Sequence, residues 1–151
     1  VRLVGERMAR MTVIAVIAVI VMFILAYRKW AGARQIYNVT LTEEGENAVY
    51  KALFDTGNFL TDPVSGKPVS VVEETEATRK WLEKYPHKYK IIPYQSVGRE
   101  HGLLEGIVVD ELIIQKEKEQ VVKKGAVVAL YRGKLSKDGQ FQMILNQSLM
   151  I

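Results

Sequence analysis

The sequence predicts a mainly β domain preceded by one apolar helix, and three observations carry that reading. Residues 11–27, MTVIAVIAVIVMFILAY, hold no charged side chain and are apolar on every face of a helix. From Ile36 onward, short β-branched runs alternate and are separated by turns rich in Gly, Pro, Asp and Glu. Between two of them stands Leu53-Phe54-Asp55-Thr56-Gly57-Asn58, where apolar residues lead an extended run to an aspartate and Thr-Gly turns the chain away.

With 151 residues, of which 48% are hydrophobic and 25% charged, the chain can bury the core of one modest domain in addition to its N-terminal segment. The excess of 21 basic over 17 acidic residues lies largely beside the apolar run. Arg2, Arg7 and Arg10 precede that run, and Arg28, Lys29 and Arg34 follow it. This placement suits lipid headgroups. No basic stripe interleaved with aromatics occurs later, so a nucleic-acid partner is not expected. The absence of cysteine excludes disulfides and thiolate metal sites and is compatible with a reducing compartment.

As a helix, Met11 to Tyr27 spans about 25 Å, near the lower length for crossing a bilayer. Tyr27 and Trp30 fall where interfacial aromatics belong. A signal peptide is the competing reading, because Ala31-Gly32-Ala33 offers a small-x-small cleavage site and would leave a secreted β-rich domain starting near Gln35. The run is longer than a usual signal core, and the chain does not open on Met, so the span is preferred. Equally basic flanks leave its orientation open. The expected division is residues 1–33 as the transmembrane helix with basic flanks and residues 34–151 as the following domain.

The elements follow in order. Ile36 to Leu41 and Ala48 to Phe54 read as strands joined by a turn at Glu43-Glu44-Gly45-Glu46. Val64-Ser65-Gly66-Lys67 reads as a second turn before a strand at Pro68 to Val72. Glu73 through Tyr85 reads as a short helix, acidic at its start, basic at its end and stopped by Pro86. Tyr89 to Tyr94 is a strand, and Gly98 to Gly106 a glycine-punctuated loop. Val108 to Gln115 and the run from Val121 flank a charged hairpin tip at Lys116 to Glu119. Ala126 to Tyr131 is a buried strand, Gly133 to Gly139 a polar loop, and Phe141 to Leu145 the last strand.

Asp-Thr-Gly alone arises by chance in roughly one chain in fifteen of this length, and in about one in a hundred when two apolar residues must precede it. A strand, an aspartate and a Thr-Gly turn are nevertheless the means by which an aspartic peptidase presents its carboxylate. Asp55 would point into a cleft, Gly57 would let backbone N–H groups reach back to it, and Thr56 would bond a neighbouring strand or chain. Aspartic catalysis uses two carboxylates sharing a proton, and the chain is too short for two lobes. Asp62, Asp110 and Asp138 lack the strand-then-Thr-Gly setting, so a two-fold axis is expected to supply the second aspartate. His87 and His101 have no ligand spacing, and no metal or other cofactor is expected.

The hairpin, the Asp-Thr-Gly turn and the late apolar strand together resemble a single retropepsin-type lobe. Over a longer stretch, DTGNFLTDPVSGKPV from Asp55 to Val69 resembles the signature of the sporulation sigma-E factor processing peptidases of endospore-forming bacteria. GLLEGIVVDELII from Gly102 to Ile114 resembles that family's later segment, and an apolar span directly upstream is also family-like.

The resemblance implies a retropepsin-like, membrane-anchored aspartic endopeptidase, active as a homodimer with one Asp per chain. It would remove the pro-sequence of an inactive sporulation sigma factor. Its peptidase domain would lie on the mother-cell cytoplasmic side of the sporulation septum, and a signalling protein secreted by the forespore would activate it. Since the family's membrane domain has about five spans, the chain resembles the last span plus the whole peptidase domain. One departure stands out: at Ile144-Leu145-Asn146, asparagine occupies the place where retropepsin lobes carry glycine. If Gly98 to Gly106 is the flap, Arg99, Glu100 and Glu105 would touch substrate. The alternative, motivated by Asn146, is a catalytically inactive peptidase-fold module that binds a partner at the membrane.

Overall fold

The computed structural model describes residues 2–31, 35–55, 57–96 and 99–150, with Lys29, Trp30, Ala31, Ser96, Arg99 and Glu100 described by their backbone alone. The chain forms two units, residues 1–34 and 35–151. The first is the helix α1, Arg2–Ala31. Its stretch from Arg2 to Arg28 is 27 residues long and apolar enough to cross a membrane. The signal-peptide cleavage residues Gly32 and Ala33 lie outside the described residues.

The second unit is mainly β, as expected. Its strands are β1 (Ile36–Glu43), β2 (Glu46–Phe54), β3 (Val69–Glu73), β4 (Tyr89–Ser96), β5 (Arg99–Lys116), β6 (Glu119–Tyr131) and β7 (Met143–Leu145). One helix, α2 (Glu76–Lys84), lies between β3 and β4. The sheet runs β1-β2-β7-β3-β6-β5-β4, and β1 also pairs with β5. That last pairing closes six strands into a barrel and leaves β4 outside as an edge. Closure removes the exposed edges that an open sheet would present. Pro93 sits on the remaining edge strand, where a missing N–H costs least.

The barrel follows from period-two burial. Val39 and Leu41 of β1, Ala52 of β2, Leu112 and Ile114 of β5 and Met143 and Leu145 of β7 are all buried in one core. Trp81 and Leu82 of α2 belong to the same core. The helix begins later than expected, because Thr75 caps it: its N–H donates to Thr78 Oγ1 at 2.9 Å, and its hydroxyl accepts from the Thr78 N–H at 3.4 Å. Glu73 thereby stays in β3. The β1–β2 turn has φ 49° at Glu44 and 80° at Gly45, left-handed values of the kind that tight two-residue hairpins require. The β5–β6 hairpin turns at Glu117-Lys118, inside the expected charged tip.

The clearest correction concerns Gly98 to Gly106. Arg99 onward is not a loop but the first half of β5, paired antiparallel with β4. The glycines are there for close packing, not for turning. A Cβ on Gly102 would lie 2.3 Å from the Tyr94 ring, and one on Gly106 would lie 3.0 Å from the Val128 carbonyl oxygen.

A buried ion pair marks where β5 passes from the β4 arm into the barrel. Glu43 is fully buried, accepts from the Asp110 N–H at 3.0 Å, and pairs with Lys88 Nζ. Lys88 also reaches Asp110 Oδ1 at 3.0 Å, and the Glu44 N–H donates to Asp110 Oδ2 at 2.9 Å. These carboxylates, Glu43 foremost, raise the pKa of Lys88 well above its usual value. The Glu44 amide and then the Lys88 ammonium hold Asp110 below the usual carboxylate range. Lys88→Met would leave the Glu43 charge buried without a partner, an expected loss of about 3 kcal/mol in urea unfolding. The double variant Glu43→Gln/Lys88→Met should recover most of that loss.

Candidate active site

Asp55 is the first residue past the end of β2. Before it, Ala52, Leu53 and Phe54 pair in parallel with Met143, Ile144 and Leu145 of β7. The Gly57 N–H donates to Asp55 Oδ1 at 2.9 Å, and the Asn58 N–H donates to the Asp55 carbonyl at 3.3 Å. A Cβ on Gly57 would stand 3.3 Å from Asp55 Oδ1, so glycine keeps the carboxylate in contact with the turn. Thr56, expected to support the turn, lies outside the described residues.

Behind the turn, β7 does run beside the strand that delivers Asp55, and Asn146 is buried at its end. Its side-chain amide donates to the Leu60 carbonyl at 2.7 Å and to the Val69 carbonyl at 3.3 Å. Asn58, also buried, donates to the Val69 and Ile144 carbonyls, each at 3.4 Å, and accepts from the Leu60 N–H at 3.1 Å. Asn146 does not have left-handed φ, so its backbone makes no demand for glycine.

Asp55 and Gly57 line a cleft of about 940 Å³. Phe59 and Leu60 belong to the same segment of its wall, with Val71 of β3, Ile144 of β7, Tyr131 at the end of β6 and Leu135 beyond it. The β4–β5 hairpin contributes Pro93, Tyr94, Gln95, His101 and Leu104. The hairpin expected to act as a flap therefore shares the cleft with Asp55. Glu105 is not among the lining residues. It pairs instead with Arg79 and Arg132, each at 3.5 Å. The side chains of Arg99 and Glu100 lie outside the described residues. Tyr94, His101 and Leu104 were missed by sequence reasoning, because it is the β4–β5 pairing that brings them to the cleft.

The other aspartates have different tasks. Asp138 accepts from the Ser136 hydroxyl at 2.6 Å, and Asp110 belongs to the Lys88 cluster. Glu43, Glu44 and Asp110 lie close enough together to offer oxygens to a cation, but the Lys88 ammonium already pairs with Glu43 and Asp110. Asp62 is buried and locks the turn before β3. It accepts from the Val64 N–H at 3.1 Å and the Ser65 hydroxyl at 2.6 Å, and pairs with Lys90 Nζ at 3.3 Å. Among the described cleft-lining residues Asp55 is the one carboxylate.

Residues 6–149 match the peptidase U4 family, described as sporulation factor SpoIIGA, and the chain belongs to that family. A Bacillus thuringiensis subsp. kurstaki protein, provisionally named a sporulation sigma factor-processing peptidase, is 24% identical over 137 residues, covering 78% of this chain and 85% of that one. The sporulation sigma-E factor-processing peptidase of Bacillus subtilis is 25% identical over 122 residues, covering 66% of this chain and 40% of the relative. Its namesake in Priestia megaterium is 23% identical over 137 residues, with 78% and 45% covered. The chain thus spans less than half the length of the latter two.

The Ser65 hydroxyl, ahead of the Val64 amide and Lys90, holds Asp62 below the usual carboxylate pKa. A depressed folded-state value stabilises the fold above the unfolded pKa, and that stability is lost as pH falls through the folded one. Asp62→Asn should therefore lower stability by about 1–2 kcal/mol at pH 7. Thermal unfolding across pH should show this gap closing toward acid, where the wild-type carboxyl is protonated too.

Proposed function

We propose that the chain is the catalytic part of a membrane-anchored aspartic endopeptidase that removes the pro-sequence of a sporulation sigma factor, with two copies forming one active site. The observation that supports this best is Asp55, the one carboxylate among the described cleft-lining residues, held by the Gly57 amide in a cleft that a β-hairpin also lines. Family membership and the names of the relatives supply the substrate class.

The chemistry needs a second carboxylate. Two carboxyl groups facing one another share a proton. The ionised one takes a proton from a water molecule, whose oxygen attacks the scissile carbonyl carbon, while the protonated one donates to the carbonyl oxygen. The tetrahedral gem-diol then collapses: one hydroxyl gives its proton to the ionised carboxylate as the C=O re-forms, the C–N bond breaks, and the leaving nitrogen takes a proton from the other carboxyl, so the pair again shares one proton. Since Asp62, Asp110 and Asp138 are committed to structural bonds, the second carboxylate comes from Asp55 of another copy across a two-fold axis. Gly57 supports the carboxylate in each copy, and Thr56 joins the paired turns.

The apolar walls of the cleft suit an extended peptide with large apolar side chains. Phe59 is 68% exposed beside Asp55, so apolar surface is available there to a substrate or a second copy. The helix α1 anchors the peptidase in the membrane, and by the resemblance its domain works on the mother-cell cytoplasmic side of the septum under a forespore-secreted signal. No metal or other cofactor takes part.

Asp55→Asn should lower processing of the pro-sigma factor by about a thousandfold or more in a co-expression assay, without loss of fold by circular dichroism. With the total amount of chain held constant, equal co-expression of wild type and Asp55→Asn should leave about a quarter of the activity, the share of random dimers that retain both aspartates. Half the activity would mean that one chain suffices.

A further inference from the structure

We infer that Asn146 is a positioning residue for Asp55, acting through the segment that carries the catalytic turn into the cleft floor. The inference rests on reading Asp55 as the catalytic carboxylate. β2 and β7 run parallel through the pairs Ala52–Met143, Leu53–Ile144 and Phe54–Leu145. One step further in that register puts Asp55 beside Asn146.

The segment from Gly57 to Thr61 has little strand pairing of its own. Its backbone ties to β3 and the residue before it are the Val69 N–H to the Leu60 carbonyl, at 2.9 Å, and an isolated bridge between Thr61 and Pro68. The Asn146 amide bridges that junction, with one hydrogen for the Leu60 carbonyl at 2.7 Å and the other for the Val69 carbonyl at 3.3 Å. Its oxygen accepts from the Ser148 N–H at 2.9 Å, and its own N–H donates to Ser70 Oγ at 3.0 Å. The next residue adds a bond from the Gln147 N–H to the Asn58 carbonyl at 3.4 Å.

A carboxamide alone meets this pattern. Two hydrogens must point at two carbonyls while an oxygen takes an amide. Aspartate has no hydrogen to give when ionised, a serine hydroxyl has one, and glycine has none. Asparagine here is a clamp between β7, β3 and the catalytic turn. Such a clamp affects rate because small displacements of a reacting group are costly.

The test compares wild type, Asn146→Gly and Asn146→Asp as full chains in detergent micelles. Hydrogen–deuterium exchange is read over residues 55–61 and, as a control, over residues 108–114 of β5. Processing of purified pro-sigma factor gives kcat and KM. In Asn146→Gly, exchange over 55–61 should rise about tenfold or more while 108–114 keeps its protection. Its kcat should fall on the order of a hundredfold, with KM within about twofold. Asn146→Asp should match glycine at pH 8 and regain rate as pH falls, when the protonated carboxyl can again donate one hydrogen bond. Wild-type exchange over 55–61, or equal loosening of both segments with an unchanged kcat, would overturn the inference. If the wild type leaves the pro-sigma factor uncut, the peptidase reading fails separately. Selective loosening of 55–61 would then still uphold the clamp, and wild-type exchange there would still overturn it.

Discussion

The short strand β7 is the constraint on which the site depends. It inserts between β2 and β3, parallel to one and antiparallel to the other, and so completes the ring of the barrel. Its alternation divides the work. Met143 and Leu145 are fully buried in the core, while Ile144 between them lines the cleft. One strand of three residues thus couples the barrel core to the wall beside Asp55. Because β7 lies far along the chain from β2, its pairing closes a long loop, and the Asp55 turn has its backing only once the barrel is complete.

A second constraint shapes the opposite part of the domain. β5 is long enough to serve two partners, β4 near its start and β1 near its end, with β6 running along most of it. The change of partner happens around Asp110, where Glu43 claims the N–H and Lys88 pairs with both carboxylates. Gly125 on β6, with φ 61°, supplies the local irregularity that such a transition needs. The arm formed by β4 and the start of β5 can then leave the barrel and reach over the cleft, which is how Tyr94 and Leu104 come to share a wall with Asp55.

What was legible in the sequence was what short-range physics decides. The apolar helix, the Glu44-Gly45 hairpin, the Lys116–Glu119 tip and the strand leading to Asp55 are each readable from a few neighbouring residues. The β4–β5 arm was not, because glycines that read as turn formers turned out to be seats for Tyr94 and for the packing of β5 on β6. Asn146 was visible as a departure from a glycine pattern, but its partners were not, since Leu60 and Val69 reach it only through the fold. Glu105 was assigned to the cleft on the assumption of a loop; in a strand it instead meets Arg79 and Arg132.

The proposed chemistry makes the pairing of two chains part of catalysis. On this proposal one copy brings one catalytic carboxylate, and a water molecule beside it alone has a base but no acid facing it. Control of cleavage can then be exercised by whatever brings two copies together, with no change needed inside the barrel. Two domains tethered to one bilayer meet at a far higher effective concentration than free ones, so a weak interface is enough. An anchored half-site is in this sense a different device from a two-lobed peptidase. On this proposal it stays silent by being alone, and anchoring acts through the chance that two copies meet.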